Sequence, residues 1–88
     1  MTAHIFILGF VQGVGLRRFV KKNAKNLDLR GWVRNLSDGR VEAVATGEKE
    51  KIEELVKVVE KGSFFSDVKS VQVEWVGIEE FEDFLIIH

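Results

Sequence analysis

The run Gly9-Phe10-Val11-Gln12-Gly13-Val14-Gly15-Leu16-Arg17 sets a glycine-rich loop between an apolar stretch and a basic amphipathic one. Glycine permits φ > 0, so such a loop can turn several backbone N–H groups toward one point. The first turn of a following helix adds unpaired donors and the positive end of its dipole. The guest expected in this cradle is an oxyanion, phosphate foremost. Arg17, where loop becomes helix, offers a planar, permanently charged fork that can bond two oxygens at once. A glycine-rich turn followed by an ordinary surface arginine has the same local signature, so the loop alone leaves both readings open.

A second segment bears on that choice. Gly31-Trp32-Val33-Arg34-Asn35 runs through Leu36-Ser37-Asp38-Gly39 into Arg40-Val41-Glu42-Ala43-Val44-Ala45-Thr46-Gly47, the pattern of strand, tight turn and strand. Together the two segments resemble the acylphosphatase family, whose pattern is G-x-V-Q-G-V-x-[FM]-R, then G-[FYW]-V-x-N-x-x-x-G-x-V and a later glycine. Two departures stand out. Leu16 replaces the bulky aromatic or methionine before the arginine, and Gly62-Ser63-Phe64-Phe65 lacks the proline expected in that loop. Leu16 is an apolar substitute at a core-facing position, so repacking is expected with no loss of chemistry.

The resemblance implies a metal-independent hydrolase that splits the carboxyl–phosphate bond of small acyl phosphates, needs no cofactor, and uses Arg17 and Asn35 as catalytic residues. It implies a phosphoryl seat formed by Val11, Gln12, Gly13, Val14, Gly15 and Leu16. The residues suit that chemistry. An acyl phosphate has a good leaving group, so hydrolysis needs no covalent intermediate if water is aimed at phosphorus and charge is neutralised. The chain has no cysteine to act as nucleophile, and neither segment holds a histidine to act as acid or base. Arg17 and the loop N–H groups would hold the phosphoryl oxygens and absorb charge in the transition state. The Asn35 carbonyl oxygen can accept a hydrogen bond from the attacking water, where a carboxylate would repel the incoming dianion. With no protein base in sight, the proton would leave to a substrate phosphate oxygen. Inorganic phosphate, the product, and sulfate, its mimic, should occupy the same loop.

Each residue also has a plainer role open to it. Asparagine beside a hairpin often initiates the turn, and Gln12 could either touch substrate or hold the loop together. Arg18, Arg34 and Arg40 could steer anions, although exposed arginines usually do nothing so specific. His4 and His88 read as surface groups, and Trp32 and Trp75 as core or half-buried sheet residues.

The elements that would position these residues follow from periodicity. Residues 4–9 form a short apolar run suited to a central strand. Residues 16–28 switch to helical spacing, with Leu16, Phe19, Val20, Ala24 and Leu27 on one face and Arg18, Lys21, Lys22 and Lys25 on the other. Residues 29–36 and 40–46 make a hairpin about Ser37-Asp38-Gly39. A second helix spans 48–61, capped by Thr46 or Gly47 at its start and by Gly62 at its end. Residues 68–76 and 84–88 supply two more strands. The order predicts an α+β, ferredoxin-like βαββαβ sandwich, an antiparallel sheet with both helices on one face and a short extra C-terminal strand.

Composition bounds the rest. The 88 residues should form one domain, residues 1–88, with a modest core and no disulfides. Two histidines at opposite ends make a zinc site improbable. A formal net charge of −1 argues against a domain that neutralises many nucleic-acid phosphates. No apolar run approaches the roughly 20 residues of a membrane span, and the first residues lack a charged signal lead, so a cytoplasmic monomer is expected. Two non-enzymatic readings remain. The element order is also that of RNA recognition motifs, yet the strand from Arg40 to Thr46 lacks the aromatics on which bases would stack. A regulatory domain that binds an anion without turning it over would need Arg17 and would have no use for Asn35.

Overall fold

The expected alternation of strands and helices is present in the computed structural model, which describes residues 1–63 and 66–88. Five strands, β1 (Thr2–Phe10), β2 (Arg30–Asn35), β3 (Val41–Thr46), β4 (Asp67–Val76) and β5 (Phe84–Ile87), form one sheet in the order β4-β1-β3-β2-β5. Helix α1 (Leu16–Asn26) joins β1 to β2, and α2 (Lys49–Lys61) joins β3 to β4. The pairings β1–β3, β1–β4 and β2–β3 are antiparallel, as expected for the ferredoxin-like core. The appended strand lies parallel to β2, with Gly31 opposite Phe84 and Arg34 opposite Ile87, so the complete sheet is mixed. The proline-lacking loop at Gly62-Ser63-Phe64-Phe65 falls partly outside the described residues, since Phe64 and Phe65 are not among them.

Both helices cover the same face. Ala3, Ile5 and Ile7 of β1, Val33 of β2, and Val41, Ala43 and Ala45 of β3 share one cluster with Leu16, Val20 and Ala24 of α1 and Ile52, Leu55 and Val59 of α2. Each of the larger aliphatic side chains contributes about 1.5–3 kcal/mol by leaving water. Small alanines at 3, 43 and 45 let the helices seat closely on the central strands. The opposite face carries Trp32, Arg34, Glu42 and His4 and has no helix over it. There Arg34 Nε donates to Glu42 Oε1 at 2.9 Å, which satisfies a carboxylate side chain that is only 9% exposed. Trp32 lies half-buried under the Arg34 guanidinium, whereas Trp75 is 40% exposed beside the Lys49 ammonium, more open than expected of a core aromatic.

Two helix boundaries differ from the sequence reading. Helix α1 stops at Asn26 because Asp28 takes φ 57°, and the Leu29 N–H turns back to the Ala24 carbonyl at 2.9 Å. Helix α2 is capped by Glu48, in place of Thr46 or Gly47. Those two are already committed to the first residues of the chain: the Thr46 hydroxyl bonds that of Thr2 at 2.7 Å, and the Gly47 N–H donates to the Met1 carbonyl. Gly62 closes α2 as expected, with φ 76° and its N–H on Val58. Among the described residues no helix is long and apolar enough to cross a membrane.

Candidate functional site

The loop after β1 is held down by its apolar side chains and leaves its backbone free. Val11 and Leu16 are buried in the core, 2% and 1% exposed, and Val14 packs against that cluster. These side chains face inward, so the loop can meet a ligand chiefly through main chain. Gly13 and Gly15 take φ of 73° and 79°, and a Cβ on either would meet nothing within 4 Å. Glycine is required there by conformation, and the open space leaves the N–H groups accessible. Gly15 is also the N-cap of α1, with no side-chain cap and no acidic residue in the first turn. Among the described residues no backbone N–H from Val11 to Arg18 donates to a loop, cap or side-chain acceptor. A helix N-terminus left in this state has donors and a positive dipole end to offer an anion.

Gln12 turns away from this opening. Its Nε2 donates to the carbonyls of Leu36 and Arg40 at 2.7 and 2.9 Å, tying the loop to the turn between β2 and β3. Of its two readings, the tether is the one the geometry carries. That turn is itself braced by Asp38, whose carboxylate accepts from the Arg40 backbone N–H at 3.1 Å and from Arg40 Nε at 2.8 Å. The backbone hydrogen bond from Arg40, seconded by its guanidinium, holds the Asp38 carboxyl below the usual aspartate range. Asp83, just before β5, is lowered in the same sense, first by the Phe84 backbone N–H and then by Lys25.

The tether brings the end of β2 against the start of α1. Asn35 pairs with Val41 and so lies on the helix-covered face. A cavity of about 240 Å³ forms between them, lined by Val11, Gly13, Gly15, Leu16, Arg17, Arg18, Asn35, Ile86 and His88. That is smaller than the roughly 300–1,000 Å³ typical of pockets for larger organic ligands, and it suits a small anion. Of the residues singled out in the sequence, Arg17, Asn35, Val11, Gly13, Gly15 and Leu16 line it, while Gln12 and Val14 do not.

The charges in this cavity are one-sided. Arg17 and Arg18 line it with no Asp or Glu beside them, and among the described residues neither forms an ion pair. Asn35 Oδ1 is buried and has no hydrogen-bond partner among the described residues. An acceptor buried without a donor costs about 1–3 kcal/mol, which a bound donor would recover. By contrast, a wider hollow of about 540 Å³ at the far end of the sheet is lined by Glu79, Glu80 and Glu82 with Arg30, a poor seat for an anion.

His88 is the residue that sequence reasoning missed. Although exposed, it lines the cavity, and its Nδ1 stands 3.3 Å from Arg17 Nη1. The signal lay in the alternation Phe84, Ile86, His88, which puts all three on one face of β5. It acquires meaning only once β5 is seen to run parallel to β2. His4, in contrast, is on the open sheet face, 3.8 Å from Glu42 and remote from the cavity lining.

Known proteins resemble this chain over nearly its whole length. A family model described as Acylphosphatase matches residues 3–86. A protein of Thermococcus kodakarensis named acylphosphatase is 42% identical over 87 residues, spanning 99% of this chain and 96% of that one. An acylphosphatase of Anaeromyxobacter is 49% identical over 73 residues, 83% of this chain and 78% of that one. The crystal structure of acylphosphatase from Bacillus subtilis superposes with a TM-score of 0.95 at 39% identity, covering 99% of this chain and 98% of that one.

Proposed function

The chain belongs to the acylphosphatase family and is a hydrolase of acyl phosphates; on that premise we propose that water oriented by Asn35 attacks phosphorus directly while Arg17 and the loop of residues 10–16 hold the phosphoryl group. The observation that carries the proposal is the convergence of three incomplete things on one small cavity. They are a row of unpaired N–H groups, an arginine without a carboxylate, and a buried asparagine oxygen without a donor.

Each is completed by a part of the reaction. The phosphoryl oxygens take hydrogen bonds from the loop N–H groups and from the two prongs of Arg17. These donors are fixed before substrate arrives, so little reorganisation is needed as charge shifts toward the leaving carboxylate. A water donates to Asn35 Oδ1 and presents its lone pair to phosphorus. Because the amide is neutral, it aims the water without repelling the substrate dianion. As the phosphorus–oxygen bond to the acyl group breaks, the water proton passes to a phosphoryl oxygen, and carboxylate and inorganic phosphate depart.

In this reading the protein works as a cytoplasmic monomer with no metal or other cofactor. A cradle that grips the phosphoryl end is tolerant of the acyl group, so several small acyl phosphates serve. Turnover of a simple aryl acyl phosphate, set beside an aryl phosphate monoester, tests the assignment. Rapid hydrolysis of the first and near-silence on the second are expected, because the loop N–H groups, Arg17 and Asn35 supply no proton to a poor leaving group. Anion binding with no turnover of the acyl phosphate would return the chain to the passive reading.

A further inference from the structure

We propose that Arg18 is a specificity-determining residue: its guanidinium stands at the mouth of the cavity to receive a second anionic group, carboxylate or phosphoryl, carried on the acyl part of the substrate. The inference rests on the reading of the phosphoryl seat above and ranks substrates that the cradle by itself would accept alike. Both arginines line the cavity, yet they differ in burial, Arg17 being half-buried and Arg18 exposed. Among the described residues Arg18 makes no ion pair.

In-line displacement decides which part of the substrate Arg18 meets. The attacking and leaving oxygens lie on opposite sides of phosphorus. In the proposed reaction the water sits on Asn35 Oδ1, which is buried. The acyl group is therefore directed away from that end, toward the opening where Arg18 is exposed. Arg17 is taken up by the phosphoryl oxygens, which leaves the second guanidinium to the acyl side. Its planar fork can bond two oxygens of a carboxylate or a phosphoryl group at once, and its charge is permanent. An acyl group without an anion gives that fork nothing to bind.

The helix behind Arg18 sharpens the preference. Helix α1 carries Arg17, Arg18, Lys21, Lys22 and Lys25 and no acidic residue, although the whole chain has a formal net charge of −1. Among the described residues only Lys25 of these is drawn into an ion pair, with Asp83 at 3.2 Å. Lys21 and Lys22 follow Arg18 three and four positions on, so its neighbours on the helix surface are cations, and no carboxylate on α1 competes with a ligand. The field of the whole helix attracts any anion. Selection by contact falls to Arg18, which lines the cavity where Lys21 and Lys22 do not.

Benzoyl phosphate, its meta-carboxy derivative and its meta-phosphono derivative are suitable probes, because they share one reacting group and differ at the acyl end. The quantity to read is the ratio of kcat/KM for each anionic substrate to that for benzoyl phosphate, taken within each chain so that differences in folded fraction cancel. At low ionic strength at least one ratio should be about three- to tenfold higher in the native chain than in Arg18→Ala, and the larger of the two names the anion that the fork receives. Arg18→Glu, which sets a carboxylate against the ligand, should fall below alanine. Lys22→Ala removes the same charge one turn further along α1, outside the cavity lining, and should stay within about twofold of the native ratio. Ratios alike in the native chain, Arg18→Ala and Arg18→Glu would overturn the proposal. So would a loss in Lys22→Ala as large as in Arg18→Ala, since the field of the helix would then account for the preference. Turnover of benzoyl phosphate by the native chain is the separate control. If it is absent, the enzymatic reading fails; if it is normal while the ratios ignore Arg18, only the role of Arg18 fails.

Discussion

In the proposed mechanism Arg17 and Asn35 divide the work in a way that single substitutions can separate. Arg17 would grip the phosphoryl group in ground state and transition state alike, so Arg17→Ala should weaken phosphate binding and turnover together. Arg17→Lys should not rescue it, because one ammonium restores the charge without the fork. By comparison with loss of a transition-state donor, both should lose at least about 10²–10³-fold in kcat/KM. A lysine variant of near-native turnover would reduce the arginine to a point charge. Asn35 would act only on the water, so Asn35→Ala should remove most turnover and leave phosphate affinity within about threefold. Denaturant titration must accompany that comparison, since a residue beside a tight turn can cost about 1 kcal/mol when truncated. A folded Asn35→Ala protein with ordinary turnover would return the residue to turn formation.

The elements matter through the contacts that hold loop, turn and helix in one place. Gln12 is the tie, donating twice from one amide nitrogen to Leu36 and Arg40. Gln12→Ala should lower stability by about 1–2 kcal/mol and weaken phosphate severalfold. Gln12→Glu should be worse than alanine, because a carboxylate would face two carbonyl oxygens. Equal effects of the two substitutions on the denaturation midpoint would contradict the donor role. The turn has its own pH signature. The Asp38 carboxyl is lowered by its bonds to Arg40, so it contributes stability that is present above the unfolded aspartate range, about 3.9, and lost as pH falls through the lower folded value. Asp38→Asn removes that contribution, so thermal scans between about pH 4 and pH 2 should show the variant losing stability less steeply than the native chain. An equally steep loss in the variant would mean that the Asp38 contacts are not formed in solution. Much at this scale was legible in sequence. Apolar spacing carried the helices, and Ser37-Asp38-Gly39 carried the hairpin that delivers Asn35. The helix caps were less so, because Thr46 and Gly47 have capping chemistry but are claimed by Thr2 and Met1, residues remote in the chain.

At the scale of the whole molecule, a small sheet makes two distant motifs into one cavity. The glycine loop and Asn35 could be brought together on motif spacing, since each carries residue types that few other arrangements need. The third wall could not. Residues 84–88 signal a strand but not its partner, because a parallel pairing has no tight turn to announce it, so Ile86 and His88 came to the cavity only through the register with β2. Phosphate should compete with acyl phosphate for this one seat, and exhaustive chelation should leave turnover unchanged, since no step draws on a metal ion. Abolition by a chelator, or purely noncompetitive inhibition by phosphate, would place the chemistry elsewhere. The most direct test of water attacking phosphorus is the stereochemical course of hydrolysis, followed with a thiophosphoryl analogue of the acyl phosphate made chiral by two oxygen isotopes, in water that carries the third. Direct attack requires the solvent oxygen to appear in inorganic thiophosphate with inverted configuration at phosphorus. Retention, which demands a phosphorylated protein intermediate, or solvent oxygen in the carboxylate, which demands attack at carbon, would contradict it.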